Sequence, residues 1–268
     1  MPVIITIDDV ADPRIEAYRD IRERDLVGRQ GCFVAEGRVV IEKVVSSADF
    51  RLNSVLVAAH RLESLADVLG RLDVDTPVFA ASQAVVDAIA GFALHRGLLA
   101  IGRRADAPSA EALLGGLPAR ADILVLSGIA NHDNMGGIFR NAAAFGVGAV
   151  ILDSDCCDPL YRKAIRVSVG ATLLVPFAQV DRGTDILDLL DCHGFATVAL
   201  SPRGERELQH MAVADRNAVL FGAEGPGLSP ELMGRAHTVR LSMAGGFDSL
   251  NVATTSGIVL HHLFAASR

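Results

Sequence analysis

Three motifs in the second half of the chain carry side chains that could form a ligand site. Asn134 stands six residues before Arg140, near the predicted start of a helix. Glu224 lies within a Gly-Ala-Glu-Gly-Pro-Gly turn, and Ser249 and Asn251 open the last predicted helix. Amide, hydroxyl and carboxylate groups can orient a reacting group, and a guanidinium can stabilise negative charge. Each motif follows a predicted strand, which is where α/β proteins hold ligands.

Each motif also has a plainer structural explanation when it is considered alone. Glycines such as Gly225 and Gly245 are typical of tight turns, because glycine adopts a positive φ without strain. Asn134 is a good helix-capping residue type, which would leave Arg140 as an ordinary surface side chain. Ser249 can likewise cap the last helix. The occurrence of all three motifs in order favours one built site over three unrelated turns.

Several common catalytic and nucleotide-binding patterns are absent from the sequence. No loop has the G-x-G-x-x-G pattern after the first strand, and no G-x-x-x-x-G-K-[ST] loop is present. There is no H-E-x-x-H metal motif and no G-x-S-x-G nucleophile turn. The eight histidines form no ligand cluster. We therefore expect no metal and no hydrolase triad, and we expect reduced thiols at the four cysteines, Cys32, Cys156, Cys157 and Cys192.

The composition fits one large or two ordinary domains. The chain has 268 residues, of which 50% are hydrophobic, and no apolar run reaches the roughly 18–20 residues of a membrane span. The start of the sequence turns acidic at once, so we expect no signal peptide and a cytoplasmic protein. The net charge of −7 argues mildly against a nucleic-acid partner, but the cationic side chains are almost all arginine, which binds phosphate in local patches.

Alternating strands and helices divide the chain into two α/β parts. Residues 1–105 are predicted to form a small α/β domain, 106–120 a linker with one short helix, and 121–268 a second domain with a mainly parallel sheet. The first part has predicted strands at 32–37, 54–58, 77–80 and 98–101, and predicted helices at 13–27, 38–47, 61–70 and 82–89. The second part has predicted strands at 122–127, 149–152, 172–176, 196–200, 218–221 and 238–241, and predicted helices at 134–145, 159–167, 186–193, after Ser229, and 249–265.

Taken together, the three motifs resemble those of the SpoU/TrmH family of RNA ribose 2′-O-methyltransferases, within the SPOUT superfamily. The resemblance covers residues 120–268 and depends on the order and spacing of the segments 134–142, 221–228 and 241–253. The first half is similar to the small substrate-binding domain of many members, on the pattern Phe33-Val34-Ala35-Glu36-Gly37 followed by a helix. An active RNA methyltransferase is therefore expected.

The resemblance carries expectations about fold, donor and partners. It implies a deep trefoil knot at the C-terminal end of the second domain, with S-adenosylmethionine bound there as the methyl donor. It also implies an RNA substrate and a homodimer in which the partner subunit completes each site. By position, the implied catalytic residues are Asn134, Arg140, Glu224, Ser249 and Asn251. The implied donor-binding residues are Leu200, Ser201, Gly222, Ala223, Leu241, Met243 and Leu250.

Two positions depart from the family pattern. Asn131-His132-Asp133 stands where many members have Asp-Pro before the first-motif asparagine. Ser242 stands where the usual residue before Met243 is proline. No polar catalytic position is lost, so catalysis is still expected.

Basic residues supply candidate RNA contacts. A guanidinium is essentially never deprotonated in proteins, so we expect Arg140 to bind the target phosphate and stabilise alkoxide charge rather than act as a base. Other cationic side chains form either an RNA-binding track or an ordinary solvated face, and the sequence favours neither. These are Arg103, Arg104, Arg162, Lys163 and Arg166, together with Arg22, Arg24 and Arg29 of the small domain.

Two other functions are compatible with the same fold class. One is a catalytically silent RNA-binding module, which the intact Arg140, Glu224 and Asn251 disfavour. The other is an α/β enzyme that uses another nucleotide, which the missing dinucleotide and P-loop patterns disfavour. For the RNA itself, the small N-terminal domain favours ribosomal RNA over transfer RNA.

Overall fold

The protein is described by a computed structural model that covers residues 2–19, 31–90, 97–245 and 247–266. The chain forms two compact units. The first unit comprises Met1–Asp106 and Leu160–Leu173, and the second comprises Ala107–Pro159 and Leu174–Arg268. The sequence-based division assigned all of 121–268 to the second domain, whereas the structure groups Leu160–Leu173 with the first unit.

The helices and strands follow the alternation that the sequence predicts. The strands are β1 (Ile4–Ile7), β2 (Cys32–Glu36), β3 (Phe50–Ala58), β4 (Val78–Ala81), β5 (Leu98–Arg104), β6 (Ala121–Leu126), β7 (Ala149–Leu152), β8 (Phe177–Gln179), β9 (Ala196–Leu200), β10 (Arg206–Glu207), β11 (Arg216–Phe221) and β12 (His237–Arg240). The α-helices are α1 (Arg38–Val45), α2 (Ala66–Leu69), α3 (Gln83–Ala90), α4 (Ala110–Gly115), α5 (His132–Ala144), α6 (Arg162–Val167), α7 (Ile186–Cys192), α8 (Pro230–Arg235) and α9 (Val252–Ala266).

The first unit is built on a five-stranded mixed sheet with the order β1-β4-β3-β5-β2. The pairs β1–β4 and β3–β4 are parallel, while β5 is antiparallel to both β2 and β3. One face of this sheet packs into an apolar core with Ile15 and Tyr18, whose hydroxyl group lies 2.7 Å from Ser54 Oγ. The burial of these side chains holds the 3₁₀ segment Pro13–Tyr18 against the sheet.

The second unit is built on a seven-stranded sheet with the order β10-β12-β9-β11-β6-β7-β8. Every strand pair in it is parallel, which confirms the prediction of a mainly parallel sheet. Strands β6, β7 and β11 are almost completely buried, as expected for strands covered on both faces. Because the strands are parallel, the loops that follow β9, β11 and β12 leave the same edge of the sheet, where α/β ligand sites occur.

Helices α5 and α9 pack closely against each other within the second unit. A Cβ atom added at Gly137 on α5 would lie 2.7 Å from Ala253 Cβ on α9. Asn141 Nδ2 donates hydrogen bonds to the Ala253 carbonyl oxygen at 2.7 Å and to Ser256 Oγ at 2.9 Å. The missing side chain at Gly137 and the polar contacts of Asn141 fix the first turn of α9 relative to α5.

The largest local error of prediction is in the segment that precedes β8. Residues 172–176 were predicted as a strand, but the structure has a 3₁₀ turn at Ala171–Leu173 and starts β8 only at Phe177. A short apolar run is compatible with either a buried strand or a buried helical turn, and Ala171 and Leu173 are both buried here. Positive φ angles at Val169 (53°) and Gly170 (76°) end α6 and start this turn.

Other differences are smaller. The helix predicted over 61–70 is a series of short helical turns, Ala59–Arg61, Glu63–Leu65 and α2. Part of the helix predicted over 13–27 is the 3₁₀ segment Pro13–Tyr18, and positions 20–27 lie outside the described residues. Strands β1 and β10 were not predicted. Within the residues that the structure describes, no helix has the length and apolar character needed to cross a membrane.

Candidate functional site

A cleft of about 860 Å³ opens at the carboxyl ends of β9, β11 and β12 in the second unit. Three loops form most of its wall. Helix α8 contributes Met233, and α9 contributes Val252 and Thr255. The lining residues are Leu200 to Arg203, Phe221 to Leu228, Met233, Leu241, Met243, Asp248 to Val252 and Thr255. The second and third sequence motifs therefore lie in one cleft, as their positions after parallel strands predict.

The turn after β11 depends on glycine for its shape. A Cβ atom at Gly222 would lie 2.3 Å from the carbonyl carbon of Gly227 and from the nitrogen of Leu228, so no side chain fits there. Gly225 and Gly227 have φ angles of 89° and 72°, which strain any other residue. The Gly227 amide donates to the Ala223 carbonyl oxygen at 3.0 Å and closes the turn. Glu224 is thereby held at the tip of a tight backbone loop.

The loop after β9 is held against β12. The Ser201 amide donates to the Val239 carbonyl oxygen at 3.0 Å, and the Gly204 amide donates to the Ser201 carbonyl oxygen at 3.0 Å. A Cβ atom at Gly204 would lie 2.3 Å from the Val239 carbonyl carbon, so the two backbones are in direct contact. Arg240 Nη1 donates to the Gly204 carbonyl oxygen at 2.7 Å. This loop is a fixed wall of the cleft.

One chain of hydrogen bonds joins all three motifs. Asn251 Nδ2 donates to Asn134 Oδ1 at 2.8 Å, and Asn134 Nδ2 donates to Glu224 Oε1. The Asn251 Oδ1 atom accepts from the amides of Ala253 and Thr254, at 2.9 and 3.1 Å. Asn134 is only 5% exposed, so its amide is removed from water and needs both partners. The beginning of α9, the beginning of α5 and the glycine turn are thus coupled.

The helix caps differ from those expected. Asn134 was considered as the cap of α5, but Asn131 Oδ1 accepts from the Asp133 and Asn134 amides at 2.8 and 3.3 Å. Ser249 was considered as the cap of the last helix, but α9 begins at Val252 and Asn251 caps it. Because Asn131 provides the cap of α5, the amide group of Asn134 can bind Glu224 and Asn251.

The structure brings most of the predicted site residues together. All of the implied donor-binding residues line the cleft, namely Leu200, Ser201, Gly222, Ala223, Leu241, Met243 and Leu250. Glu224, Ser249 and Asn251 line it as well, and Asn134 touches it through its bonds to Glu224 and Asn251. The sequence interpretation missed Arg203 and Asp248, which also line the cleft. Their positions beside Ser201 and Ser249 were the available signal.

Arg140 is not part of this cleft. It lies on α5 with an exposed side chain and is absent from the cleft wall. Six residues along a helix correspond to about 600°, so Arg140 projects about 120° away from Asn134. Within the described residues its side chain makes no hydrogen bond or ion pair. A single chain therefore does not place Arg140 beside Glu224.

The candidate RNA contacts separate into different environments. Arg162 is engaged with Glu36 in the first unit, with Nη2–Oε2 and Nε–Oε2 distances of 2.9 and 3.2 Å and side chains only 19% and 15% exposed. The charge of Arg162 is thus paired within the first unit, and its role as an RNA contact stays a prediction. Arg104 lies over the Phe50 ring at 6.0 Å. Lys163, Arg166 and Arg103 are exposed, while Arg22, Arg24 and Arg29 lie outside the described residues.

The cysteines are free thiols in the structure. Burial, followed by the negative charge of Asp153, raises the pKa of Cys156 to about 12, so the thiol stays neutral at physiological pH. Cys156 Sγ donates to the Leu126 carbonyl oxygen at 3.2 Å and accepts from the Ile129 amide at 3.3 Å. These contacts give Cys156 a structural role below the loop that follows β6. Across the described ranges, histidine, cysteine, aspartate and glutamate form no cluster suited to a metal ion.

A family model matches part of the chain, and related sequences match most of it. The model of the SpoU rRNA Methylase family matches residues 122–261. An uncharacterised tRNA/rRNA methyltransferase of Mycobacterium bovis is 38% identical over 263 residues, covering 94% of this chain and 89% of that protein. A 23S rRNA (guanosine-2′-O-)-methyltransferase RlmB of Coxiella burnetii is 30% identical over 173 residues, covering 63% of this chain and 69% of that protein.

Solved structures share the fold over nearly the whole chain. An rRNA methyltransferase from Sinorhizobium meliloti, crystallised with AdoMet, has a TM-score of 0.83 at 21% identity and covers 98% of both chains. An RNA 2′-O ribose methyltransferase has a TM-score of 0.81 at 26% identity and covers 98% of this chain and 99% of that one. The likeness includes the first unit as well as the parallel-sheet unit that carries the cleft.

Proposed function

Because the chain belongs to the SpoU rRNA methylase family, we propose that it transfers a methyl group from S-adenosylmethionine to a ribose 2′-hydroxyl group of a structured RNA. The observation that carries the proposal is the hydrogen-bond chain from Asn251 through Asn134 to Glu224 at the cleft. It gathers three polar side chains, distant in sequence, around one potential acceptor position. Similar proteins named for 2′-O-methylation support the choice of acceptor atom.

The cleft fits the proposed methyl donor. Its volume of about 860 Å³ is in the range of roughly 300–1,000 Å³ that is usual for small-molecule sites. Leu200, Leu241 and Leu250 offer apolar surface for a nucleoside, and Gly222 also lines the cleft. When it is bound, S-adenosylmethionine supplies an electrophilic methyl group on a positively charged sulfur. The carboxylates of Glu224 and Asp248 give the cleft a charge that suits a cation.

The protein side chains have the task of aligning the ribose and stabilising its charge. Glu224, Ser249 and Asn251 orient the ribose, and Asn134 holds Glu224 and Asn251 in place. Alignment of two reacting atoms removes much of the entropic barrier of a displacement reaction. Arg140 binds the target phosphate and stabilises the developing alkoxide.

A homodimer reconciles this role with the position of Arg140. The side chain of Arg140 is exposed and outside the cleft of its own chain, so a second copy brings it to a complete site. We place a trefoil knot at the C-terminal end of the second unit, where the loops after β9, β11 and β12 lie together. We favour ribosomal RNA over transfer RNA as the substrate, because the RlmB relative is named for 23S rRNA. The proposed location is the cytoplasm.

The first experiment is transfer of tritium from labelled S-adenosylmethionine to total ribosomal RNA and, separately, to total transfer RNA. Both pools come from cells that lack this protein, and the labelled nucleotide is mapped. Label in one pool as a 2′-O-methyl group supports the proposal and identifies the substrate class. Donor binding without label in either pool contradicts it and favours the catalytically silent RNA-binding module.

Replacement of Arg140 by alanine tests its role in the same assay. We expect turnover to fall by at least about tenfold with RNA affinity largely kept, because charge stabilisation in the transition state is lost. Arg140→Lys keeps the charge but not the two-pronged geometry, so we expect an intermediate rate. Unchanged turnover in Arg140→Ala would remove Arg140 from the mechanism.

A further inference from the structure

Arg203 is the only cationic side chain among the described residues that line the cleft. It follows Pro202 at the tip of the loop after β9 and was not among the residues implied by the sequence motifs. Its side chain makes no hydrogen bond or ion pair with any described residue, whereas the guanidinium of nearby Arg240 makes several. The guanidinium is therefore available to a ligand in the cleft.

The backbone around Arg203 is fixed on both sides. The Arg203 amide donates to Ser201 Oγ at 3.3 Å, and Arg240 Nη1 donates to the carbonyl oxygens of Gly204 and Glu205 at 2.7 and 3.2 Å. Arg240 Nη2 also lies 3.4 Å from Glu207 Oε1, so that guanidinium is used within the protein. Arg240 therefore stabilises the loop, while the guanidinium of Arg203 on the same loop has no partner among the described residues.

The charges of the cleft match those of the proposed donor. Besides Arg203, the charged lining residues are Glu224 and Asp248, both carboxylates. S-adenosylmethionine carries two positive groups, an ammonium and a sulfonium, and one carboxylate. Resting on the proposed function, we propose that Arg203 binds the methionine carboxylate of the methyl donor. A guanidinium forms two parallel hydrogen bonds with a carboxylate, which suits this role.

An RNA phosphate is the other anion that Arg203 could meet, and the surroundings disfavour it. A phosphate group in the cleft would face Glu224 and Asp248, and like charges repel at close range. The donor carboxylate is part of a ligand whose positive groups those two side chains attract. Arg203 is therefore a donor-specificity residue, which distinguishes the complete amino-acid portion of the donor from a truncated nucleoside.

Calorimetric binding to the full chain tests the assignment without any RNA. The ligands are S-adenosylmethionine, S-adenosylhomocysteine, which keeps the carboxylate, and 5′-methylthioadenosine, which lacks the amino-acid portion. In Arg203→Gln we expect the Kd to rise about tenfold for the first two ligands, since a charge-assisted hydrogen bond is lost. The Kd for 5′-methylthioadenosine is expected to stay within a factor of two, and Arg203→Lys is expected to recover part of the affinity.

Arg206→Gln is the matched control, because Arg206 is exposed on the same segment but does not line the cleft. Equal losses for all three ligands in Arg203→Gln would show that the residue supports the loop, and would overturn the assignment. Unchanged donor affinity would overturn it too, and a raised KM for RNA in that case would identify a phosphate contact. Failure of the wild-type protein to bind S-adenosylmethionine would instead contradict the proposed function itself.

Discussion

The side-chain amide of Asn134 uses both of its ends within the protein. Its Oδ1 atom accepts from Asn251 Nδ2 at 2.8 Å, and its Nδ2 group donates to Glu224 Oε1. Because the side chain is buried, the loss of either contact would leave a polar group without water or a protein partner. Asn134 is thus a positioning residue for the two cleft side chains that it touches.

Asn134→Asp should impair turnover. The change keeps the shape of the side chain but replaces the donor to Glu224 with a second carboxylate, so attraction becomes repulsion. We expect turnover to fall at least about tenfold in a steady-state methyl-transfer assay, since a hydrogen bond to a charged group contributes about 1.5–3 kcal/mol.

Asn131→Asp is the matched control for this prediction. It is the same chemical change three residues earlier, at the cap of α5, and aspartate caps a helix as well as asparagine does. We expect Asn131→Asp to retain wild-type turnover. Equal activities of the two variants would show that the hydrogen bond to Glu224 has no part in the reaction.

The sequence predicted that Asn134, Glu224, Ser249 and Asn251 lie together, but not which contacts each of them makes. It also placed Arg140 with them, and the cleft of one chain lacks that residue. Asparagine and serine are both good helix caps, so the pattern alone could not separate Asn131 from Asn134, or Ser249 from Asn251. The partners that decide the matter are far away along the chain, at separations of 90 residues for Glu224 and 117 for the asparagine pair. Such contacts become visible only once the strands have brought the loops together.

Two helices, α5 and α9, carry the two asparagines, so their close approach controls the geometry of the cleft. The approach depends on the absent side chain at Gly137 and on the contacts of Asn141 with Ala253 and Ser256. A shift of either helix would lengthen the bond between Asn134 and Asn251. The packing of these elements is therefore part of the site.

Gly137→Ala and Gly234→Ala should change stability in opposite directions. Both glycines lie in helices, where alanine is usually favoured by about 0.5–1 kcal/mol. At Gly234 no atom lies within 4 Å of the new Cβ, so we expect Gly234→Ala to be stabilising. At Gly137 the new Cβ would lie 2.7 Å from Ala253 Cβ, and we expect a loss of about 1–3 kcal/mol from overpacking.

Chemical denaturation of the two glycine variants gives the free energy of unfolding for each. A stabilising effect of Gly137→Ala would mean that α5 and α9 can move apart to accommodate the new methyl group without a loss in the free energy of unfolding. It would also remove the proposed link between their packing and the cleft.

Among the elements, parallel strands were the most predictable. Strands β6, β7, β9 and β11 are short apolar runs between helices, and such runs are typical of a sheet buried on both faces. The segment before β8 has the same composition but is fixed as a turn by the backbone at Val169 and Gly170. Hydrophobicity records burial in both cases and does not distinguish the two conformations.

At the scale of the whole molecule, exposed apolar side chains support the proposed homodimer. Phe247, Leu250 and Ile258 are 74%, 41% and 42% exposed, all within one stretch of the second unit. On α9 the exposed positions Thr254, Ile258 and His261 recur at helical spacing and form one stripe. Large apolar groups exposed in this way are typical of a surface that another protein covers.

Ile258→Arg should convert the proposed dimer to a monomer and abolish most methyl transfer. The new charge would be buried without a partner in a symmetric interface, where it occurs twice. Light scattering gives the mass in solution, and the tritium assay gives the activity. Val74→Arg is the control, because Val74 is 65% exposed in the first unit and the same charge should be harmless there. A dimeric Ile258→Arg protein would exclude this helix face from the interface.

Asn251 has two structural roles, and together they restrict which residue types can occupy its position. Serine, threonine, aspartate and asparagine exchange freely at most helix caps. At position 251 the side-chain oxygen caps α9, while the NH₂ group donates to Asn134. Aspartate would lack the NH₂ donor, and serine or threonine would have only one hydroxyl oxygen to make both contacts. Aspartate can therefore replace asparagine at position 131 but not at position 251. A substitution of Asn251 would affect both the start of α9 and the polar contacts of the cleft.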